Sequence, residues 1–239
     1  MGRREYSDEE RAQMVDIFLR ATRKIIDSEG INSVSIRKVA TAAGYHSSTL
    51  YLYFRNLDEL VTFACMGYLV GYCRKMADAA PQMRTPRDVY YKTWEIFCNC
   101  AFESPQVFQQ LFFSEHDLPL GEMVKRYYKV YPHQLDSMDV AVTEMLTAGE
   151  LDDRNIHILR PLAAELGYDE EETLMVNTMT TCFFKRLLAE RCRAVETGEG
   201  PSATDLTAEM IEGINFLFRN ATATSEMRRA MRERDRAAE

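Results

Sequence analysis

The segment from Ser33 to Leu60 carries the side chains with the clearest chemistry, in the order SVSIRKVATAAGYHSSTLYLYFRNLDEL. Arg37 supplies a guanidinium group, which can donate two hydrogen bonds to O6 and N7 of guanine. Lys38 adds positive charge beside it. The hydroxyl groups of Thr49 and Tyr53 can hydrogen-bond to phosphate oxygens. The segment therefore offers the chemistry of DNA contact.

The elements that must position these groups are two short helices joined by a tight turn at Gly44. Ser35 is a suitable N-cap for the first helix, because its hydroxyl can accept a bond from an unpaired backbone N–H. Gly44 can adopt the left-handed conformation that ends a helix without a Cβ penalty, and Ala40 is small enough for the next helix to cross closely. The pattern predicts a helix-turn-helix, with an ordinary helical hairpin as the alternative on spacing alone.

A helix on each side completes the predicted arrangement. Asn56 is a predicted N-cap, with Glu59 at the position of a capping box. A preceding helix is predicted from Ser7 to Glu29, and with the two helices of the helix-turn-helix it completes a predicted three-helix headpiece. The predicted apolar stripe of the preceding helix comprises Met14, Ile17, Phe18, Ala21, Ile25 and Ile26.

Several short blocks carry a resemblance to a known family. The blocks are Gly30, SIRKVA from Ser35 to Ala40, Ala43-Gly44, STLY from Ser48 to Tyr51, Tyr53-Phe54 and Leu60. In order and spacing they resemble the N-terminal domain of TetR-family transcriptional regulators, over about Arg11 to Tyr68 or a quarter of the chain. The resemblance favours the helix-turn-helix over the plain hairpin. It implies that DNA is contacted by Arg37, Tyr45, Ser47, Ser48, Thr49, Tyr51 and Tyr53, to which we add Lys38 and His46.

The roles of these residues follow from the geometry of a recognition helix, predicted here from His46 to Tyr53 and directed into the major groove. We expect Arg37 to read a base, and Thr49 and Tyr53 to hold phosphates. For Tyr51 the sequence leaves two alternatives open, a DNA contact or packing in the headpiece. His46 can cap the helix, read a base or do neither.

One position departs from the family pattern. Many relatives carry a lysine at the start of the fourth helix to hold a phosphate, where this chain has Leu57. The sequence therefore predicts that one phosphate contact is missing, although Arg55 can compensate for it.

The rest of the chain predicts further helices and no strand, so the expected fold is all-α. We expect a DNA-binding domain at residues 1–56, an effector-binding and dimerisation domain at 57–220 and a charged, flexible tail at 221–239. Predicted helices span Leu57–Ala80, Tyr90 to before Pro105, Val107–Ser114, Gly121–Leu146 with a break at Pro132, Glu170–Glu196 and Ala203–Asn220. Loops are predicted at Gly149–Asn155 and Gly167–Asp169.

The resemblance also implies how the helical body acts. It implies a homodimer formed by Glu170–Glu196 and Ala203–Asn220, and a repressor released from a palindromic operator when a small molecule binds the body. An aromatic-rich pocket favours a hydrophobic or aromatic effector, although aromatic residues at helical spacing are more often core. The candidate effector-binding residues are Tyr90, Trp94, Phe97, Phe112, Tyr127, Tyr131, Asn177 and Phe183.

Charge limits the DNA-binding prediction. The net charge of −8 repels phosphates, but residues 1–57 carry 9 Lys and Arg against 7 Asp and Glu. This part of the chain is therefore at +2 and the remainder at −10. A DNA-binding domain with so little positive charge is expected to bind DNA as a dimer, with an affinity that falls as the salt concentration rises. Without a signal peptide or a membrane-spanning apolar run, we expect a cytoplasmic protein with reduced cysteines and no membrane partner.

An enzyme is the rival class. Cys98, Cys100, His116 and His133 suggest a metal or thiol site, but residues two apart face different sides of a helix and the spacing is unlike that of zinc sites. No phosphate loop or nucleophile elbow occurs in the sequence, so no catalytic residue, metal or cofactor is predicted. A third alternative is an effector-binding protein with a degenerate DNA-binding headpiece, suggested by Leu57 and the low positive charge.

Overall fold

The computed structural model describes residues 7–116, 118–131 and 149–219. Across these ranges the regular elements are helices and no strand occurs, which confirms the predicted all-α fold. In the same ranges no helix is both long enough and apolar enough to cross a membrane. The helices are α1 (Asp8–Glu29), α2 (Ile36–Ala43), α3 (Ser47–Leu50), α4 (Leu57–Ala79), α5 (Pro86–Glu103), α6 (Pro105–Phe113), α7 (Leu120–Val130), α8 (Leu151–Leu166), α9 (Glu170–Thr197) and α10 (residues 203–219).

The chain divides into two compact units. The first unit contains the residues up to Arg74 together with Gln106–Gly149, and the second contains Lys75–Pro105 together with the residues from Glu150 onward. We call residues 7–56 of the first unit, which hold α1 to α3, the headpiece. The predicted domain boundary after residue 56 stays a prediction.

Helix α1 begins where its sequence provides a reciprocal cap. The Ser7 hydroxyl accepts a bond from the Glu10 amide at 3.1 Å, and the Glu10 carboxylate accepts one from the Ser7 amide at 2.9 Å. The predicted apolar stripe is partly wrong, because Ile17 is 38% exposed while Thr22 is fully buried. Thr22 is accommodated because its hydroxyl donates to the Phe18 carbonyl at 2.8 Å. The buried face comprises Val15, Phe18, Leu19, Thr22, Ile25 and Ile26.

The loop predicted at Gly149–Asn155 is wrong, since α8 begins at Leu151. Asp152 and Asp153 lie in the first turn of this helix, where carboxylates interact favourably with the helix dipole. Asn155 is buried and bonded to neighbouring helices, so its polarity reflects a buried network. The predicted loop at Gly167 is confirmed, because Gly167 ends α8 in the left-handed conformation with φ of 74°.

The remaining predicted helices largely match the structure. Helix α4 buries Leu60, Phe63, Ala64 and other apolar residues as predicted, and α5 ends before Pro105. Helix α7 starts at Leu120. The rest of the predicted helix to Leu146, with its break at Pro132, lies outside the described residues, as do His133, Asn220 and the predicted tail.

Candidate nucleic-acid interface

The turn between α2 and α3 has the geometry expected of a helix-turn-helix. The Ser35 hydroxyl accepts a bond from the Lys38 amide at 3.3 Å and caps the N-terminus of α2. Gly44 has φ of 77°, a conformation that a residue with a Cβ rarely adopts. The Tyr45 amide then donates to the Ala40 carbonyl at 2.9 Å, which closes the C-terminus of α2. The predicted cap and turn are both confirmed.

Phe18 of α1 fixes the direction of the second helix. Its ring is fully buried and contacts Tyr45, Tyr53 and Phe54, with centroid distances of 5.4, 6.0 and 6.4 Å. These edge and tilted contacts hold α3 and its flanking residues against α1. Because the buried contacts involve aromatic and apolar groups, the polar groups of the segment are left on the outer face.

The residues predicted to bind DNA lie on that outer face. Arg37, Lys38, Tyr45, His46, Ser48 and Tyr51 are exposed, and Ser47, Thr49 and Tyr53 are partly exposed. None of them is buried, so the structure brings all nine to the surface of the α2–turn–α3 segment. Their contact with DNA stays a prediction.

Burial decides between the alternatives for Tyr51, and hydrogen bonding removes one of the three alternatives for His46. Tyr51 is 59% exposed, which excludes the headpiece-core alternative for its ring. His46 occupies the N-cap position of α3 but its side chain makes no capping hydrogen bond. The predicted recognition helix is shorter than expected, since the α-helix spans Ser47–Leu50 and residues 51–53 continue as turns.

Two of the predicted DNA-contacting residues also interact with charged neighbours. The Lys38 ammonium group lies 2.7 Å from the Glu29 carboxylate, and both side chains are about half exposed. An exposed pair of this kind stabilises a protein little and exchanges easily for another partner. The Arg11 guanidinium lies 6.0 Å from the centre of the Tyr53 ring. Arg11 thus adds positive charge beside a predicted phosphate-binding residue, a contact that sequence reasoning missed.

A network of polar contacts surrounds the start of α4, directly after the recognition segment in the chain. The Asn56 side-chain oxygen accepts a bond from the Glu59 amide at 2.9 Å, which confirms Asn56 as the N-cap. The Glu59 carboxylate accepts a bond from the Arg55 amide at 2.7 Å and pairs with Arg126 of α7. Glu59 is only 4% exposed, so its charge is compensated inside the first unit. No sequence signal joins Glu59 to Arg126, because the two residues are far apart in the chain.

The candidate effector-binding residues of the second unit are mostly interior. Tyr90, Trp94, Phe97 and Asn177 are buried. The Trp94 indole N–H donates to the Asn155 side-chain oxygen at 2.9 Å, and the Asn155 amide donates to Asn177 at 2.9 Å. Desolvation raises the pKa of Tyr90 to about 12. The structure therefore joins these residues into one packed, hydrogen-bonded cluster.

The other candidates occupy different surroundings. Phe112 and Tyr127 are buried in the first unit, where Tyr131 donates a hydrogen bond to Asp16 at 3.1 Å. Phe183 of the second unit is partly exposed, and its ring lies against Gly213 of α10. A role in effector binding stays a prediction for all eight residues.

The thiol groups bear on the enzyme alternative. Burial raises the pKa of the Cys65 and Cys98 thiols, which favours the unreactive protonated form. Burial likewise raises the pKa of Cys192 to about 11. Within the described part of the chain, no three His, Cys, Asp or Glu residues are grouped so that they could hold a metal ion.

Comparison with known proteins identifies the domain that holds this interface. Residues 18–62 match the family model described as bacterial regulatory proteins, tetR family. The matched range begins at Phe18 and contains α2, the Gly44 turn and α3. The resemblance seen in the sequence is therefore confirmed. A search of curated proteins gives no significant match.

Two solved structures share the fold over most of the chain. One is Thermus thermophilus FadR, described as a TetR family transcriptional repressor in complex with lauroyl-CoA, with a TM-score of 0.53, 14% identity and coverage of 85% of this chain and 92% of that one. The other is a candidate transcriptional regulator from Pseudomonas aeruginosa PAO1, with a TM-score of 0.52, 14% identity and coverage of 89% and 93%. At this identity the similarity establishes the fold.

Proposed function

We propose that the protein, whose residues 18–62 match the family model of bacterial regulatory proteins, tetR family, is a homodimeric DNA-binding repressor acting in the cytoplasm. It binds a palindromic operator through two headpieces and is released when a small hydrophobic or aromatic effector binds the helical body. The observation that supports this proposal is the α2–turn–α3 segment, which presents nine polar or aromatic side chains at the surface of the headpiece.

The proposed contacts follow from the chemistry of each exposed group. Arg37 reads a guanine in the major groove, where its two parallel N–H groups match O6 and N7. Thr49 and Tyr53 hold phosphates through their hydroxyl groups. Lys38 exchanges its surface partner Glu29 for a phosphate, which costs little because the pair is exposed.

Operator binding is tested by electrophoretic mobility shift with DNA from upstream of the protein's own gene and with a pool of selected sequences. We expect retardation that weakens as salt concentration rises, because phosphate contacts release counterions. Arg37→Ala should cost about 1–3 kcal/mol of binding free energy and relax the preference for one base pair. Arg84→Ala, at an exposed position of the second unit, is the control. Equal loss on every sequence would make Arg37 a phosphate contact instead.

The proposed dimer interface is an exposed apolar face of α9 and α10. Met175 and Met179 of α9 are 43% and 49% exposed, and Phe216 of α10 is 62% exposed. Gly213 permits α9 and α10 to approach closely, since a Cβ there would lie 2.4 Å from the Phe183 ring. Large apolar side chains exposed together at this level are typical of an interaction surface.

Dimerisation is tested by sedimentation of a Met179→Glu, Phe216→Glu double variant. Two carboxylates placed in an apolar interface should convert the dimer into monomers. Ala164→Glu, at an exposed position of α8, should leave the assembly unchanged. A double variant that remains dimeric would exclude this face as the interface.

The effector proposal draws on the aromatic composition of the helical body and on the lauroyl-CoA bound by the Thermus thermophilus neighbour. Trp94 is the chain's single tryptophan and is buried beside Asn155, so its fluorescence reports changes within the second unit. A thermal-shift screen with lauroyl-CoA, free fatty acids and aromatic compounds should reveal ligands that raise the melting temperature. A hit that also releases operator DNA supports the repressor mechanism.

A protein with a degenerate headpiece is the second candidate, favoured by Leu57 at the start of α4. The Leu57 side chain is 36% exposed where many relatives present a lysine to DNA. If the headpiece reads DNA, Leu57→Lys should strengthen operator binding, whereas Ala164→Lys, at an exposed position of α8, should not. Absence of binding by the wild type at low salt, even to selected sequences, would favour the degenerate headpiece.

A further inference from the structure

A groove on the first unit is lined by three positive side chains and two aromatic rings. Arg11 comes from α1, and Arg126 and Lys129 come from α7. The rings of Tyr53 and Phe63 also line it. Its volume is about 470 Å³, which lies within the range of small-molecule sites, about 300–1,000 Å³.

The charges in this groove are unequal. One carboxylate, that of Asp8, lies among the three cations that line it. Arg126 is paired with the buried Glu59, whereas Arg11 and Lys129 form no ion pair within the described residues. The exposed side chains of Arg11 and Lys129 therefore keep their positive charge available to a ligand, and the guanidinium of Arg126 lines the same groove.

Two guanidinium groups that line the groove lie close to its two aromatic rings. The Arg126 guanidinium lies 5.9 Å from the centre of the Phe63 ring, and the Arg11 guanidinium lies 6.0 Å from that of Tyr53. Aromatic faces and guanidinium planes together form surfaces on which an aromatic ring can stack. We therefore propose that this groove binds a small amphipathic anion, with its acidic group between Arg11, Arg126 and Lys129 and its apolar part on Tyr53 and Phe63.

An occupant of the groove would contact Arg126, whose partner Glu59 is linked to the residue that follows the recognition segment. Arg126 pairs with Glu59, and Glu59 accepts the hydrogen bond of the Arg55 amide next to the recognition segment. A bound anion competes with Glu59 for the Arg126 guanidinium and so perturbs this chain of contacts. The consequence for DNA rests on the proposed function, whereas anion binding itself does not.

Binding is tested on the full chain without DNA, using the fluorescent dye anilinonaphthalene sulfonate and its neutral counterpart N-phenylnaphthylamine. The wild type should bind the anionic dye more tightly. Arg11→Gln with Lys129→Gln should weaken its binding by about fivefold to tenfold and leave the neutral dye unaffected, because only the charge contacts are lost. Lys24→Gln with Lys125→Gln, at exposed positions outside the groove, is the control.

Three results would overturn the proposal: unchanged binding of the anionic dye by the double variant, equal weakening of both dyes, or an equal effect of the control pair. If the double variant has a lowered melting temperature, Lys129→Gln alone makes the same comparison. Lys129→Arg, which keeps the positive charge, should bind the anionic dye as the wild type does. As a second readout, the anionic dye should shift the Arg55 amide resonance in the wild type more than in the double variant. Because no DNA is present, failure here leaves operator binding untouched.

Discussion

The headpiece and the α5–α8–α9 bundle of the second unit are both helical, yet they differ in where they place key polar groups. The headpiece exposes them at its surface, whereas the bundle buries them in its core. In the headpiece, aromatic contacts around Phe18 form the interior, and the groups able to form hydrogen bonds with DNA face outward. In the bundle, the Trp94 indole and the side chains of Asn155 and Asn177 bond to one another inside the core.

This difference separates two uses of polarity. A polar group at the surface of the headpiece keeps its hydrogen-bonding capacity for a partner. A polar group inside the bundle has already used that capacity, and leaving it unpaired would cost about 1–3 kcal/mol. Buried polarity in the bundle therefore specifies how helices pack, whereas exposed polarity in the headpiece is available for recognition.

The substitution with the largest expected effect disrupts the aromatic core of the bundle. Phe184 is fully buried, with ring centroids of Trp94, Phe97 and Phe102 at 5.5, 5.1 and 5.7 Å. Phe184→Ala should lower the free energy of unfolding by about 3–5 kcal/mol, since it removes apolar burial and leaves a cavity. Urea unfolding followed by Trp94 fluorescence measures it. Tyr51→Ala in the headpiece, which removes an exposed ring, should cost at most about 0.5 kcal/mol.

A pH titration tests the buried hydroxyl of Tyr90. Because burial raises its pKa to about 12, the unfolded chain loses this proton first, near its ordinary value of about 10. The stabilising effect is complete below pH 10 and is lost as pH rises to 12, on the order of 2–3 kcal/mol. Tyr90→Phe should flatten the fall in unfolding free energy over this interval relative to the wild type. An unchanged slope in Tyr90→Phe would contradict the assignment.

The buried network gives the third prediction. Asn155→Ala removes the acceptor of the Trp94 indole N–H and the donor to Asn177, so two interior groups lose their partner. We expect a loss of about 2 kcal/mol in urea unfolding. Asn32→Ala, at an exposed position of the headpiece, is the matched control. Similar losses in both variants would remove the distinction between buried and exposed polarity.

The smallest effect concerns the cap of α2. Ser35→Ala removes the acceptor of the Lys38 amide and should cost about 1 kcal/mol. Amide exchange measured by NMR should accelerate in the first turn of α2 and remain unchanged around Trp94. Ser48→Ala, an exposed serine of α3, should leave exchange in α2 unaltered. Acceleration in the second unit instead would contradict the assignment of this cap to the headpiece.

The headpiece was largely predictable because its determinants are local. A capping serine at Ser35, a left-handed glycine at Gly44 and an N-cap at Asn56 act within four residues along the chain, and all three have the predicted roles. The polar run at Gly149–Asn155 was misread, since a local pattern cannot distinguish a solvated loop from a helix whose asparagine bonds to distant partners. The Glu59–Arg126 pair had no local signal at all.

The sequence by itself determined the helices of the headpiece, the turn between them and the resemblance of residues 18–62 to the tetR family model. It could do so because short-range capping and backbone preferences act between neighbouring residues. Tertiary structure alone decided which aromatic and polar side chains are exposed and which are paired. It buries Tyr90 and Trp94, leaves Tyr51 in solvent and brings Arg11, Arg126 and Lys129 to one groove. Burial and charge pairing depend on residues far apart in the chain, so their outcome is fixed only when the helices pack.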